Sequence, residues 1–110
     1  MRHALPARLL EIHISESDRW QGKPLYEAIV GKCREAEIAG ATVFRGLEGY
    51  GETAELHRAH LLRHDQPVVI AVVDSAEKLN RFAPLIEEMI GTGVLTFSDV
   101  RMIRVGKSST

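Results

Sequence analysis

The chain of 110 residues holds one cysteine, Cys33, so it can close no internal disulfide. A lone thiol fits a reducing compartment. No apolar run approaches the roughly 18 residues of a membrane-spanning helix, and the longest β-type run is Val68 to Val73. Met1 to Pro6 carries no apolar segment of signal-peptide type. Charge of one sign is missing too: 14 basic residues face 15 acidic ones, for a net charge of -1. That balance removes the electrostatic case for nucleic acid or an anionic membrane as partner. With one Trp, two Tyr and three Phe, the core has to come from Leu, Ile, Val and Ala. Repeats, low-complexity stretches and a linker are all lacking. These features predict one soluble, cytoplasmic domain over residues 1–110, with frayed tails at 1–6 and 106–110.

What is there reads as alternating strands and helices. Leu9 to Ser15 alternates, with Leu10, Ile12 and Ile14 against Glu11 and His13, and predicts a half-buried strand. Glu16 to Lys23 is polar apart from Trp20 and reads as a loop. Pro24 suits the first position of a helix. Leu25, Ala28, Ile29, Cys33 and Ala36 follow at helical spacing up to Gly40, which can take positive φ and stop the helix. A second strand is expected from Ala41 to about Tyr50 and a third over Val68 to Asp74. Asp74 with Glu77 fits a capping box, and Leu79, Phe82, Ile86 and Met89 form the next helical face. Pro84 inside that helix predicts a kink or interruption. Gly91 and Gly93 close it, and Val94 to Phe97 and Val100 to Val105 read as strand segments broken at Ser98-Asp99.

The resulting order, β-α-β-β-α-β, is that of the ferredoxin-like α+β sandwich. Two helices cover one face of such a sheet. Val68 to Val73 is apolar on both faces, so the second face is expected to pack against further copies of the chain. Gly46, Gly49 and Gly51 then hand the second strand to a polar segment, Glu52 to Gln66, in the manner of a rigid strand presenting a recognition loop.

Three segments carry a family resemblance: Glu16-Ser17-Asp18-Arg19-Trp20-Gln21-Gly22-Lys23-Pro24-Leu25-Tyr26, Gly40-Ala41-Thr42-Val43-Phe44-Arg45-Gly46, and Pro67-Val68-Val69-Ile70-Ala71-Val72-Val73-Asp74. In this order the chain resembles PII-like signalling proteins, and most of all their short, mostly uncharacterised branch. The resemblance runs from Leu9 to Val105. It implies a homotrimer with the three sheets facing inward. It implies a small anionic effector bound between subunits, with an adenine nucleotide the candidate cofactor. Glu52 to Gln66 would contain the counterpart of the T-loop, engaging an unidentified protein target such as a membrane transporter or an enzyme. By resemblance the ligand site is Gly49, Tyr50 and Gly51 of one subunit with Gly91, Thr92 and Gly93 of another, and Arg104 and Lys107 supply charge. Glu52, Glu55, His57 and Arg58 form the partner-binding loop.

The chain also departs from the PII pattern. Val94 stands about where a phosphate-contacting lysine would be, and Glu52 replaces the amide that helps hold 2-oxoglutarate. His57 occupies the place of the modifiable tyrosine, so uridylylation does not carry over.

Each site has a plainer reading beside it. Gly91-Thr92-Gly93 can cradle an anion with backbone N–H groups, or simply cap a helix. His57, His60 and His64 gather on one face if their segment is helical and could then ligate zinc, copper or nickel. On an extended chain they disperse and are solvated. Cys33 reads as a small core residue, and Trp20 either lines a cleft or covers the start of the helix. No serine, cysteine or carboxylate stands in a recognisable catalytic motif. The leading function is a non-enzymatic, effector-sensing regulator. The alternatives are a metal-responsive binding protein, similar in fold to the trimeric copper-tolerance proteins, and an enzyme with an inter-subunit site.

Overall fold

The pleat of each strand decides the layering, because successive side chains point to opposite faces. Strand β1 (Leu5–Ser15) sends Leu10, Ile12 and Ile14 to one side, where none is more than 2% exposed. Leu9, Glu11 and His13 point the other way. The computed structural model describes residues 4–49 and 66–106. After β1 come β2 (Arg19–Trp20), β3 (Lys23–Pro24), helix α1 (Leu25–Glu35), β4 (Gly40–Arg45), β5 (Pro67–Asp74), helix α2 (Ala76–Met89) and β6 (Val94–Met102). The long strands form one antiparallel sheet in the order β4-β5-β1-β6. This is the expected α+β, ferredoxin-like arrangement. Leu25, Ile29 and Cys33 of α1 and Leu79, Phe82, Ile86 and Met89 of α2 join Leu10, Ile12, Ile14, Val68, Ile70 and Val72 in one core. Both helices therefore cover the same face.

Local chemistry moved several expected boundaries. The segment expected to be a loop contains the β2–β3 hairpin, with Arg19 facing Pro24 and Trp20 facing Lys23. Its two-residue turn has φ of 49° at Gln21 and 82° at Gly22, the paired positive angles that suit a tight hairpin. Pro24 is thus the cap residue before α1, not its first turn. Gly40 does not end α1. Glu37 takes the left-handed conformation instead, with φ of 56°. Ile38 N–H donates to Cys33 O (3.0 Å) and Glu37 N–H to Arg34 O (3.1 Å), which together make a Schellman closure. Lys78 Nζ donates to the Glu37 carbonyl at 2.6 Å, and Asp74 Oδ2 accepts from Ala39 N–H at 2.8 Å, so the turn is held by residues at the end of β5 and the start of α2. Gly40 opens β4, which ends at Arg45, well short of Tyr50.

Helix α2 is capped one residue later than expected: Ser75 Oγ accepts from Lys78 N–H. It runs through Pro84 without interruption. Pro84 is exposed, so water can reach the Asn80 carbonyl that the ring deprives of an amide from residue 84. Strand β6 is continuous across Ser98-Asp99, since both residues lie in register with Leu9 and Arg8 of β1 and Asp99 bonds to Arg8. It stops at Met102, opposite Leu5. That pairing also draws Leu5 and Pro6, expected to fray, into β1.

Candidate functional site

Two glycine-containing turns flank one end of the sheet. At the end of β4, Gly46 N–H donates to Pro67 O (2.7 Å), and Glu16 N–H, just past β1, donates to Gln66 O (2.8 Å). Arg45, the last residue of β4, forms an ion pair with the Glu16 carboxylate. A Cβ at Gly49 would stand 3.0 Å from Pro67 Cγ, and one at Gly46 2.9 Å, so the chain leaves β4 pressed against Pro67. These bonds fasten both stems of segment 50–65. Tyr50, Gly51, Glu52, Glu55, His57, Arg58, His60 and His64 fall within that segment, outside the described residues, and Lys107, near the C-terminus, also lies outside them. The partner-loop and metal expectations therefore concern residues beyond those described.

The second turn joins α2 to β6. A Cβ at Gly93 would meet His13 O at 2.8 Å and Ile90 Cγ2 at 3.0 Å. Glycine is demanded there by the close approach of β1, independently of any ligand. Gly91 has open space where a Cβ would go, and Thr92 is exposed, so this part of the turn is free to meet a ligand. Val94 opens β6 opposite His13 and faces the side of the sheet away from the helices.

Register places these pieces. Pro67 lies opposite Ser15, and Val94 opposite His13, so both turns sit at the same end. They occupy opposite edges, because β4 and β6 are the outer strands. Three strand spacings separate them, about 14 Å. Arg104 lies two residues past Met102, at the far end of β6. Nine strand residues span roughly 30 Å. One protomer thus brings Gly49 to the same end as Gly91, Thr92 and Gly93, and leaves the exposed Arg104 at the other.

Other residues take structural places. Cys33 is 3% exposed, and burial pushes its thiol up to about 11, so it stays protonated at neutral pH and is a poor nucleophile. Trp20 packs on the core, carries the Lys32 ammonium 5.6 Å from its ring centroid, and lines a groove with Leu85, Glu88 and Met89. Among the described residues, no three His, Cys, Asp or Glu side chains are grouped to hold a metal ion. No described helix is long and apolar enough to cross a membrane. The sequence reading missed two pairs. Arg45 with Glu16 joins residues 29 apart in sequence, and no local pattern announces it. Glu11 and His13 were visible only as the polar side of β1. They lie next to each other on the uncovered face, with Nε2 3.8 Å from Oε1.

Comparison with known proteins agrees with this architecture. The model of the DUF190 family (Uncharacterized ACR, COG1993) matches residues 7–102. A UPF0166 protein of Aquifex aeolicus (strain VF5) is 40% identical over 100 residues, covering 87% of this chain and 92% of the relative. Among solved structures, CPII from Thiomonas intermedia K12, bound to ADP, AMP and acetate, superposes with a TM-score of 0.60 at 21% identity, over 93% of each chain. A PII-like signaling protein from Thermus thermophilus gives a TM-score of 0.65 at 16% identity, over 91% of this chain and 92% of the other. The chain belongs to the DUF190 family, and its fold is that of the PII-like proteins.

Proposed function

We propose that this protein is a non-enzymatic, PII-like regulator. It assembles as a homotrimer with the sheets facing inward and binds a small anionic effector, an adenine nucleotide, between subunits. Segment 52–66 then acts on a partner protein. The carrying observation is the placement of the two turns. Gly49 and the open Gly91-Thr92 stretch share one end of the sheet but lie on opposite edges of the protomer. Arg104 lies at the far end. A ligand touching all three needs more than one copy of the chain. The PII-like fold supports this reading, as does the presence of ADP and AMP in the CPII structure of that fold. Relatives of the chain carry UPF0166 and PII-like signalling names, not those of enzymes.

Calorimetric titration of the intact protein with AMP, ADP and ATP tests the proposal, with product analysis to detect turnover. The expected result is saturable binding of at least one nucleotide, one per protomer, without hydrolysis. Arg104→Ala should abolish that binding and leave the assembly intact, since a guanidinium grips a phosphate through two hydrogen bonds. Unchanged affinity in the Arg104 variant removes this site. Turnover by the purified protein replaces the regulator with an enzyme.

A further inference from the structure

The face of the sheet away from the helices is mostly apolar or hydroxylic. By register it carries Thr42 and Phe44 of β4, Val69, Ala71 and Val73 of β5, Leu9 of β1, and Val94, Thr96, Ser98 and Val100 of β6. Among the described residues it bears only two titratable side chains, Glu11 and His13. Both sit on β1, an interior strand of the sheet, with β5 on one side and β6 on the other. Glu11 stands between Ala71 and Thr96, and His13 between Val69 and Val94. In the protomer the two side chains are 42% and 44% exposed, so water solvates either charge state.

We propose that copies of this chain meet on this face and that the Glu11–His13 pair makes their association proton-linked, tighter as His13 takes up a proton. The inference rests on the assembly proposed above and adds its control. The occupant is argued from charge complementarity: the face presents one acid beside one base, so a second copy of the same face offers each its opposite. Covering the face withdraws water from the Glu11 carboxylate. An uncompensated charge there is costly. None of the facing residues of β4, β5 or β6 carries a charge to compensate it, and among the described residues the same face of another copy brings only the same two groups. The imidazolium form of His13 is therefore the form that the covered face accommodates. Imidazole changes charge between pH 5 and 8. Assembly that binds a proton at this imidazole strengthens towards the acid end of that range, and the benefit is lost as pH rises through it.

The test is sedimentation velocity of the full chain across a concentration series at pH 6 and pH 8, at fixed ionic strength. For the native chain, the midpoint concentration for assembly should be at least about tenfold lower at pH 6, in line with uptake of up to one proton per protomer. H13Q should assemble weakly and with a flat pH response. E11Q should reverse the trend, because an imidazolium without its carboxylate is the disfavoured form. The double variant E11Q/H13Q should assemble equally well at both values and serves as the folding control. Equal midpoints for the native chain at both pH values, or an E11Q trend in the native direction, would overturn the proton linkage while leaving assembly standing. A chain that stays monomeric at every pH and concentration overturns the assembly reading itself, and the linkage falls with it.

Discussion

Strand β5 shows the two faces of this molecule within eight residues. Val68, Ile70 and Val72 lie under the helices and are at most 2% exposed. Val69, Ala71 and Val73, of nearly the same composition, look the other way and stay half-buried. Hydropathy does not separate the two rows; layering does. Two helices of 11 and 14 residues can cover one face of a four-stranded sheet, and among the described residues nothing covers the other. An apolar row under a helix is part of the fold. An apolar row with no cover points to something outside the protomer.

The largest expected effect comes from placing one charge on either side of this divide. Ile70→Asp puts a carboxylate into a fully buried site and should abolish cooperative folding, a loss of more than about 4 kcal/mol. Val69→Glu, one residue away, should leave the far-ultraviolet circular dichroism native and change protomer stability by under about 1 kcal/mol. It should instead disperse the assembly, which sedimentation reads. Equal loss of folding in the two variants would erase the distinction between the faces.

A smaller contrast separates two glycines of one turn. Gly93→Ala drives a Cβ against the His13 carbonyl of β1, where backbone has to shift, and should cost about 1–3 kcal/mol. Gly91→Ala meets open space and should cost well under about 1 kcal/mol. Urea unfolding midpoints of the two variants check this. A Gly91→Ala variant that keeps its stability but loses nucleotide binding would tie the open half of the turn to the ligand.

The architecture was legible because it rests on periodicity. The alternation in Leu10, Ile12 and Ile14 and the helical spacing of Leu25, Ala28, Ile29 and Cys33 map directly onto burial, whereas only every second residue of the run from Val68 to Val73 joins that core. Boundaries were less legible where two parts of the chain settle them jointly. Glu37 adopts positive φ in a helix closure whose carbonyl Lys78, 41 residues away, also holds, and no propensity of glutamate signals that. The Gln21-Gly22 hairpin lacks flanking apolar alternation and hides within a polar stretch. At the candidate site, the glycines were visible but their reasons were not. Gly49 and Gly93 are set by Pro67 and His13, which lie far from them in sequence. The ion pair between Arg45 and Glu16 is invisible for the same reason.

The covered side also hides a titration. Burial raises the Cys33 thiol from 9.0 to about 11, which favours the neutral form in the folded chain. A raised value contributes stability that is complete below pH 9 and lost as pH climbs toward 11. At about 1.4 kcal/mol for each tenfold change in proton concentration, that rise corresponds to a loss of roughly 3 kcal/mol once the folded thiol has ionised. Urea unfolding of the native chain should weaken steeply over that window, whereas Cys33→Ala should remove this part of the slope. Thiol labelling at about pH 8 should be slow in the folded chain and fast in urea. Rapid labelling of folded protein would mean that the helix-covered side opens far more readily than its packing implies.

The smallest expected effect compares the acid–base pairs of the two faces. Arg8 reaches Asp99 from the helix side, with Nε and Nη2 each 3.1 Å from Oδ1. The Asp99 side chain is 82% exposed, so solvent screens the pair. Arg8 has other support: its Nη1 donates to Asn80 Oδ1 at 3.0 Å, and its guanidinium lies 6.0 Å from the Phe97 ring centroid. Asp99→Asn should therefore cost less than about 1 kcal/mol, and less still in high salt. It should leave assembly unchanged at pH 6 and pH 8. Glu11→Gln alters an equally ordinary-looking pair on the uncovered face, and its effect should be confined to assembly. If Asp99→Asn shifted assembly as strongly as Glu11→Gln, the reach of these charges would not follow the face of the sheet. The special standing of Glu11 and His13 would then be lost.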